Sequence, residues 1–384
     1  MNVRFLHTSD WQIGATYWML DADGQARLDQ ARLDAIRTMG TIAHDTNCAF
    51  MLVAGDIFDK NSLKKTTLNR ALETIKSIPV PVYLLPGNHD PLTADSVFYQ
   101  ATQLDNVTVL DHTGPFTVTD HVELVAAPLL TRHTYEDPVA RMLSTLDTPA
   151  PGTIRIACGH GAVDSHTSIA QPNTIDLATV TEALDNHLID YLALGDTHST
   201  RQLDEHNRIY YSGAPEVTDF HDFDGHPIGA TTGSNETNSG NCLVVDITKD
   251  TTGPAAITVT PHTTGTWTFQ AHTRDCNSQH DAEEFITFLK SFTDKPRTVI
   301  KYALIGTVDV ATKQFLEHQL NELEPTFAAL YPRTRLHHLT LNPSDDDLDN
   351  LNLNGYANQA LKELIDNDET DALSLMFRLT QDQQ

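Results

Sequence analysis

Short polar motifs built from aspartate, asparagine and histidine recur in the first 200 residues of the chain. They are Asp10 with Gln12 in "TSDWQIG", Asp56 and Asp59 in "GDIFD", Asn88, His89 and Asp90 in "GNHD", His160 in "GH", and Asp196 and His198 in "GDTH". Carboxylate, amide and imidazole groups bind divalent metal ions, and histidine also transfers protons near neutral pH. Each motif alone is a weak signal, but the five together predict metal-assisted chemistry.

An apolar segment precedes each of the five motifs. The segments are "VRFLHTSD", "AFMLVAGD", "VPVYLLPGNHD", "IRIACGH" and "YLALGD", and nearly continuous apolar runs of this kind are typical of strands covered on both faces. Ligands of open α/β sheets bind beyond the carboxyl ends of the strands, where residues from distant parts of the sequence meet. We therefore expect the five motifs to form one pocket.

Helical patterns separate the predicted strands. The first places seven apolar residues on one face at three-to-four-residue spacing, namely Leu28, Ala31, Ala35, Ile36, Met39, Ile42 and Ala43. The second starts near Ser62 and turns Leu68, Leu72, Ile75 and Ile78 inward. Two further strands are predicted in "VELVAAP" and "RIYYSG". Strands that alternate with helices indicate a layered α/β domain.

The remainder of the chain predicts the end of this domain and a second, smaller unit. The segment "ATTGSNETNSGN" (230–241) is predicted to be a flexible loop without functional information. Strands near 242–247, 256–260 and 267–272 are expected to finish the first domain, and a helix, a strand, a helix and a strand follow it.

Three domain ranges result from this pattern. They are residues 1–272, residues 273–343 for a small α/β domain, and residues 344–384 for a C-terminal segment. The last range combines the acidic linker "PSDDDLDN" (343–350) with two short helices around 355–366 and 369–380. The apolar faces of these helices would dock onto a partner or pack on their own domain.

The composition limits the class of protein. The chain has 25 basic and 52 acidic residues, a formal net charge of −27, which opposes tight unaided binding to a polyanion. The simplest interpretation is an acidic surface that favours solubility and has no specific functional role. If the substrate is DNA, bound metal or a more basic partner would be required to offset the repulsion. Four separated cysteines are predicted to be buried apolar residues. Without a membrane-length apolar run or a signal-peptide pattern, we expect a cytoplasmic protein with no membrane association.

The motifs resemble those of the calcineurin-like metallophosphoesterases, whose signature runs D-x-H, GDxxD, GNHD/E, H and GHxH. The resemblance covers about residues 3–215. Within that superfamily, "FLHTSDWQIG", "LLPGNHDP" and "YYSGAPEVTDF" look like the DNA-repair exonuclease branch, the SbcD-like nucleases that pair with a coiled-coil ATPase. The resemblance implies a four-layer α/β/β/α sandwich with a smaller C-terminal α/β capping domain, the latter from the order of its elements.

The resemblance also implies two divalent metal ions bridged by Asp56. The other ligands fall into two sets, Asp10, Gln12 and His198 for the first ion, and Asn88, His160 and Asp196 for the second. A hydroxide between the ions would attack phosphorus in line. His89 would contact the phosphate and protonate the leaving oxygen, with Asp59 and Asp90 orienting His89 or a ligand histidine through hydrogen bonds. The alternative for Asp59 and Asp90 is that they are simple caps or turn residues.

Two positions depart from the family signature. Gln12 stands where the first histidine is expected, and Asp196 stands where the first histidine of GHxH is expected. Both replacements are oxygen donors, which favour Mn²⁺ or Mg²⁺ over Zn²⁺, and Mn²⁺ is the expected cofactor with Mg²⁺ and Fe²⁺ as alternatives. Because the bridging Asp56 and His89 are both retained, we interpret the exchanges as retuning rather than loss of activity.

Three functional hypotheses follow. The first is a Mn²⁺-dependent phosphodiesterase that cuts DNA as exonuclease or endonuclease subunit of a repair complex, with an SbcC-like coiled-coil ATPase as partner and a homodimer as a family expectation. The second is a small-molecule phosphodiesterase or phosphatase with the same metal pair, which the acidic composition favours. The third is a catalytically silent subunit whose Gln12 and Asp196 have weakened the site.

Overall fold

The computed structural model describes residues 1–132, 134–164, 174–223, 235–251, 253–341 and 355–367, and the single residues 369, 372 and 376. The chain divides into two units. The first comprises the described residues of Met1–Phe220 and Ser234–Trp267, and the second those of His221–Gly233 and Thr268–Gln384.

Twelve strands of the first unit form two six-stranded sheets. The first sheet contains β1 (Asn2–Thr8), β2 (Met51–Val53), β3 (Val82–Leu84), β4 (Val107–Val109), β12 (Asn241–Thr248) and β13 (Ala256–Thr263). Its order is β13-β12-β1-β2-β3-β4. The strands β1 to β4 are parallel, and β12 runs antiparallel to β1.

The second sheet contains β5 (Phe116–Thr119), β6 (Val122–Ala126), β7 (Ile154–His160), β8 (Tyr191–Gly195), β9 (Arg201–Gln202) and β10 (Ile209–Tyr211). Its order is β5-β6-β7-β8-β10-β9, with β6, β7, β8 and β10 parallel. The edge strands β5 and β9 are antiparallel to their neighbours.

Alternate side chains of the central strands enter different apolar layers. Leu6 of β1 packs in a cluster with the helices α1 (Ala22–Asp45), α2 (Lys65–Lys76) and α3 (Phe98–Ala101), whereas its neighbour Phe5 packs between the two sheets. On the far side, α4 (Pro138–Leu143) and α5 (Leu177–Asp185) cover the second sheet. This arrangement confirms the predicted four-layer α/β/β/α sandwich and explains why the strands are apolar on both faces.

Helix starts follow the sequence signals where a capping side chain is present. The Asp21 carboxylate accepts a hydrogen bond from Gly24 N at 2.6 Å and caps α1. Asp137 caps α4 in the same way, with Pro138 in the first turn. Helix α2 begins at Lys65, a little later than the start predicted near Ser62, because Lys64 keeps an extended backbone.

The second unit is built on a parallel sheet of five strands. They are β11 (His221–Asp222), β14 (Thr268–Asp275), β15 (Thr298–Val308), β16 (Ala329–Pro332) and β17 (His338–Leu341). Strand β15 is central, and β14, β16 and β17 all pair with it in parallel. Strand β14 spans residues that the sequence pattern assigned to the end of the first domain, yet its hydrogen bonds go to this second sheet.

Helices α6 (Gln279–Lys290) and α7 (Val310–Leu323) cover this sheet, and two 3₁₀ turns lie at Lys295–Arg297 and Glu324–Thr326. Helix α8 (Tyr356–Asp366) coincides with the helix predicted around 355–366. Its Leu361 is buried against Val310 and Leu341, so this apolar face packs on its own unit. The predicted acidic linker and most of the predicted last helix lie outside the described residues.

Two predictions drawn from composition can be compared with the structure. Cys48, Cys158, Cys242 and Cys276 are buried and free, as the sequence predicts. Within the described part of the chain, none of the helices combines the length and the apolar character that crossing a membrane requires.

Candidate metal centre

The five motifs meet where the parallel strands of both sheets end. Asp10, Asp56 and Asn88 follow β1, β2 and β3 of the first sheet, whereas His160 ends β7 and Asp196 follows β8 of the second. Hydrogen bonds join the two edges: His160 Nδ1 donates to the Ala54 carbonyl oxygen at 2.8 Å, and Asp196 N lies 3.2 Å from both carboxylate oxygens of Asp10.

Three buried side chains form the centre of the pocket. One ligand atom each from Asp10, Asp56 and His160 lies within 4.8 Å of the others, which is a geometry that can hold a metal ion. His160 Nε2 is 3.5 Å from Asp56 Oδ1 and 3.9 Å from Asp196 Oδ1. Buried carboxylates require compensating positive charge, and a divalent cation supplies it.

The surroundings of His160 fit a cation at its Nε2 atom. Because Nδ1 donates to Ala54, Nε2 is the ring nitrogen left for the pocket, and it lies 2.8 Å from Asn88 Oδ1. Burial lowers the pKa of His160, but the carboxylates of Asp56, Asp10 and Asp196 outweigh it and raise the pKa well above its usual range. The same negative field favours a metal ion at this nitrogen.

The Asp56 carboxylate lies at the meeting point of several motifs. Its Oδ1 accepts from His89 N at 2.9 Å, and its Oδ2 accepts from Gln12 Nε2 at 3.1 Å. Burial favours the protonated acid, but the His160 and His89 groups lower the pKa of Asp56 to about 2. For Asp10, burial is the largest influence and raises the pKa of its carboxyl group.

Four site residues have a backbone conformation that side chains rarely adopt. Asp10, Gln12, Asp56 and Asp196 have φ angles of 53°, 49°, 53° and 103°. Each such residue costs on the order of 1 kcal/mol or more, a strain characteristic of functional sites. The tight turns are held by neighbouring backbone, for example Asp10 N donating to Gly55 O at 3.0 Å.

Glycines in the motifs allow the segments that carry the predicted ligands to approach one another. A Cβ atom on Gly55 would lie 2.2 Å from His160 Nδ1, and one on Gly87 would lie 2.2 Å from Asp56 Oδ1. Neither position therefore tolerates a side chain without moving a predicted ligand. The glycines of "GDIFD" and "GNHD" are thus part of the site geometry.

His198 is oriented by residues that the sequence pattern did not single out. Its Nε2 is 3.9 Å from Asp10 Oδ1, while its Nδ1 lies 2.5 Å from Thr218 Oγ1 and 3.5 Å from Glu236 Oε2. Burial lowers the pKa of His198, but Glu236 and Asp10 raise it to about 9. Carboxylates in this position commonly fix the ring of a metal-bound histidine.

Glu236 lies in the segment that the sequence pattern predicts to be a flexible loop without functional information, yet its side chain is buried and hydrogen-bonded. It is only 4% exposed, and its carboxylate accepts from Thr218 N at 2.9 Å, Thr218 Oγ1 at 2.6 Å and Asp219 N at 2.8 Å. A lone glutamate among small polar residues offers no local signal, because its partners are far away in the sequence.

Gln12 lies beside the predicted bridge, with its amide turned toward Asp56. In this orientation, Nε2 donates to Asp56 Oδ2 at 3.1 Å. The two ends of an amide are exchanged by a half-turn of the terminal group, which would place Oε1 at the same position. A metal ion between Gln12 and Asp56 would favour that orientation, since only the oxygen can be a ligand. The ligand role of Gln12 stays a prediction.

The predicted catalytic residues lie at the rim of the pocket. The side chain of His89 is 35% exposed, and its Nδ1 is 3.0 Å from the Asp59 carbonyl oxygen but 4.0 Å from the Asp59 carboxylate. Asp90 is buried and accepts from Phe58 N and Gly87 N at 2.9 and 2.8 Å, so it braces the turn around His89. Burial and the charge of Asp56 raise the pKa of Asp90 to about 7.

Comparison with known proteins agrees with this geometry. A family model described as calcineurin-like phosphoesterase matches residues 3–225. Among curated proteins, the chain is similar to the SbcD subunit of the SbcCD nuclease from Bacillus subtilis (strain 168), with 26% identity over 129 residues, 33% of this chain and 31% of that protein. It is also similar to the corresponding SbcD protein of Escherichia coli (strain K12), with 30% identity over 117 residues, 29% of this chain and 27% of that protein.

The matched segments span less than a third of the length of these relatives. Two solved structures align more extensively but at low identity. A dimetal phosphatase from Danio rerio shares 12% identity with a TM-score of 0.37, covering 68% of this chain and 98% of that one. Purple acid phosphatase PPD1 from yellow lupin (Lupinus luteus) shares 13% identity with a TM-score of 0.41, and the alignment covers 69% of this chain and 52% of that one.

The family model covers more than half of the chain and includes all five motifs. The chain therefore belongs to the calcineurin-like phosphoesterase family, and its sandwich architecture and the buried cluster of Asp10, Asp56 and His160 are consistent with a metal-dependent member.

Proposed function

We propose that this chain is a phosphodiesterase that uses two divalent ions, Mn²⁺ foremost, to cleave phosphodiester bonds of DNA. The observation that carries the proposal is the buried cluster of Asp10, Asp56 and His160, whose ligand atoms lie within 4.8 Å of one another beside the half-exposed His89. Bound divalent ions would supply a hydroxide nucleophile at neutral pH and offset the charge on the phosphoryl oxygens.

His89 is the residue of this site that can move a proton to the leaving group. In its protonated form, Nδ1–H donates to the Asp59 carbonyl oxygen, which leaves Nε2–H for the substrate. The backbone N–H of His89 donates to Asp56 Oδ1 at 2.9 Å, so the backbone at His89 is held against the predicted bridging carboxylate. General acids of this kind typically contribute about 10² to 10⁴ in rate.

The nuclease role within a repair complex is supported by the relatives named as the SbcD subunit of the SbcCD nuclease. A coiled-coil ATPase partner would supply the positive surface that a chain of net charge −27 lacks. The same charge favours the second candidate, a phosphodiesterase of small nucleotides, because a short substrate carries few phosphates to be repelled.

The test is a Mn²⁺ titration with linear duplex DNA and bis(4-nitrophenyl) phosphate assayed side by side. We expect hydrolysis of both, with His89→Ala abolishing cleavage of DNA while Mn²⁺ stays bound, because an alkoxide leaving group needs a proton and a 4-nitrophenolate does not. The matched control is His44→Ala, which changes an exposed histidine of α1 that pairs with its neighbour Asp45. Hydrolysis of the small ester alone would select the second candidate. Less than one Mn²⁺ per chain and no hydrolysis would show a catalytically silent subunit.

A further inference from the structure

A cavity of about 650 Å³ opens in the first unit. We name it the outer cleft. Among the residues that line it are Asp111, His112, Leu130, Tyr135, Arg141 and Met142. Its volume falls within the range of pockets that hold small organic ligands.

The outer cleft lies one strand away from the predicted ligands. Strand β4 is the parallel neighbour of β3, which precedes Asn88, and β6 is the parallel neighbour of β7, which ends at His160. The lining residues Asp111 and His112 follow β4, and Leu130 follows β6, so all lie at the same sheet edge as the site.

Two backbone hydrogen bonds tie the outer cleft to the turn that carries His89. Leu129 N donates to Pro86 O at 3.2 Å, and Leu92 N donates to Leu129 O at 2.9 Å. Residues 86–92 contain the whole "GNHD" motif. The lining residue Leu129 is therefore bonded on both sides to the segment that carries His89.

The lining of the outer cleft suits a flat, uncharged group better than a phosphate. The lining arginine, Arg141, is already paired with Glu136 at 2.7 Å, and His112 is paired with Asp111 at 2.5 Å. Asp111 and Glu136 would repel an anion. The aromatic and apolar surface is instead open, because Tyr135 is 88% exposed and Leu130 is 54% exposed.

We propose that the outer cleft binds the nucleoside that is attached to the reacting phosphate, with its base against the Tyr135 ring and Leu130. A nucleobase has a stacking face for the aromatic ring and polar edges for the paired side chains of the lining. This inference rests on the proposed function and specifies its substrate as a nucleoside phosphodiester, either a DNA end or a small nucleotide.

The first experiment compares two esters that share one leaving group, thymidine 5′-(4-nitrophenyl) phosphate and methyl 4-nitrophenyl phosphate, with Mn²⁺. The intact chain should prefer the nucleoside ester in kcat/KM. Tyr135→Ala should lower that preference by about 5- to 100-fold through KM, as expected for the loss of one stacked base. Tyr356→Ala is the matched control, because Tyr356 is similarly exposed, at 86%, on α8 of the second unit.

The second experiment does not depend on hydrolysis. Saturation-transfer NMR with thymidine 5′-monophosphate and the intact chain in EDTA should show transfer to the base protons, and Tyr135→Ala should reduce it. Transfer to the base protons without hydrolysis of either ester would overturn the proposed function but would support nucleoside binding by the outer cleft. If the esters are hydrolysed, Tyr135→Ala leaves the preference for the nucleoside ester unchanged, and no transfer is seen, then the outer cleft does not bind the nucleoside. The proposed function would stand in that case.

A third arm separates the two sources of the nucleoside. Cleavage of a short single-stranded oligodeoxynucleotide should fall in Tyr135→Ala when the cleft receives a DNA end. If only the mononucleotide ester is affected, the cleft serves small nucleotides. If the nucleoside ester shows no preference over the methyl ester, the cleft does not recognise a nucleoside.

Discussion

Replacing Glu236 by glutamine should weaken metal binding although this residue does not reach the metal pocket itself. Its carboxylate holds Thr218 by two hydrogen bonds and lies 3.5 Å from His198 Nδ1. The Glu236→Gln change keeps the shape but replaces one acceptor oxygen by a donor. That donor would face N–H and O–H groups that already point at it.

The size of the effect follows from the contacts. A hydrogen bond to a charged group contributes about 1.5–3 kcal/mol, and a buried donor left unpaired costs a similar amount. Changing a residue that orients a metal-bound histidine typically lowers metal affinity by about 10- to 100-fold. We expect that loss for one ion, because Glu236 contacts His198 and none of the set Asn88, His160 and Asp196.

Isothermal titration of the metal-free chain with Mn²⁺ measures this directly. The intact chain should show two binding events, and Glu236→Gln should weaken one of them. Glu216→Gln is the matched control, since Glu216 is also buried, at 2% exposure, and accepts from Val217 N, Thr266 N and Trp267 N without a histidine partner. Both variants should lower the thermal midpoint, but only Glu236→Gln should lower metal affinity.

Equal Mn²⁺ affinities in the two variants would refute the reasoning, because His198 would then keep its orientation without Glu236. A parallel weakening of both binding events in both variants would show a general loosening of the first unit. Hydrolysis is not needed for either outcome, so the test does not depend on the identity of the substrate.

Three other changes test further parts of the structure. Gly55→Ala should abolish Mn²⁺ binding, because its Cβ would lie 2.2 Å from His160 Nδ1, whereas Gly253→Ala, with a positive φ but open space, should retain it. His7 is buried and its pKa is lowered to about 3, so the unfolded chain binds the extra proton. Stability should therefore fall by about 2 kcal/mol from pH 6.5 to pH 5 in urea unfolding, and less in His7→Gln. Gln12→His should raise Zn²⁺ affinity relative to Mn²⁺ in competition titrations; no change would place Gln12 outside the ligand set.

The sequence was sufficient to predict the layers of the first unit, because strands that are buried on both faces are recognisable as nearly continuous apolar runs. Strands β1, β2, β3, β7 and β8 are nearly continuous apolar runs, and each ends at a polar motif. Parallel strands bring Asp10 and Asp56 to one edge of the first sheet, and His160 ends a strand of the second sheet, so its approach to them depends on the packing of the two sheets.

The sequence was not sufficient where a partner is distant. Strand β14 has an apolar pattern compatible with either sheet, and only its pairing with β15 assigns it to the second unit. Glu236 accepts hydrogen bonds from Thr218 and Asp219, whereas its own segment is polar and rich in small residues. Pairing partners of this kind are properties of the folded chain rather than of a local pattern.

The two departures from the family signature bear on the choice of substrate. The predicted ligands Asp10, Asp56 and Asp196 would place three negative charges against the four positive charges of two divalent ions, whereas the family signature would place two. The filled site would thus carry one positive charge fewer and attract a polyanion less. A net charge of −27 acts in the same direction. Binding energy for the substrate must then come from contacts other than phosphate, and the open ring of Tyr135 in the outer cleft offers such a contact.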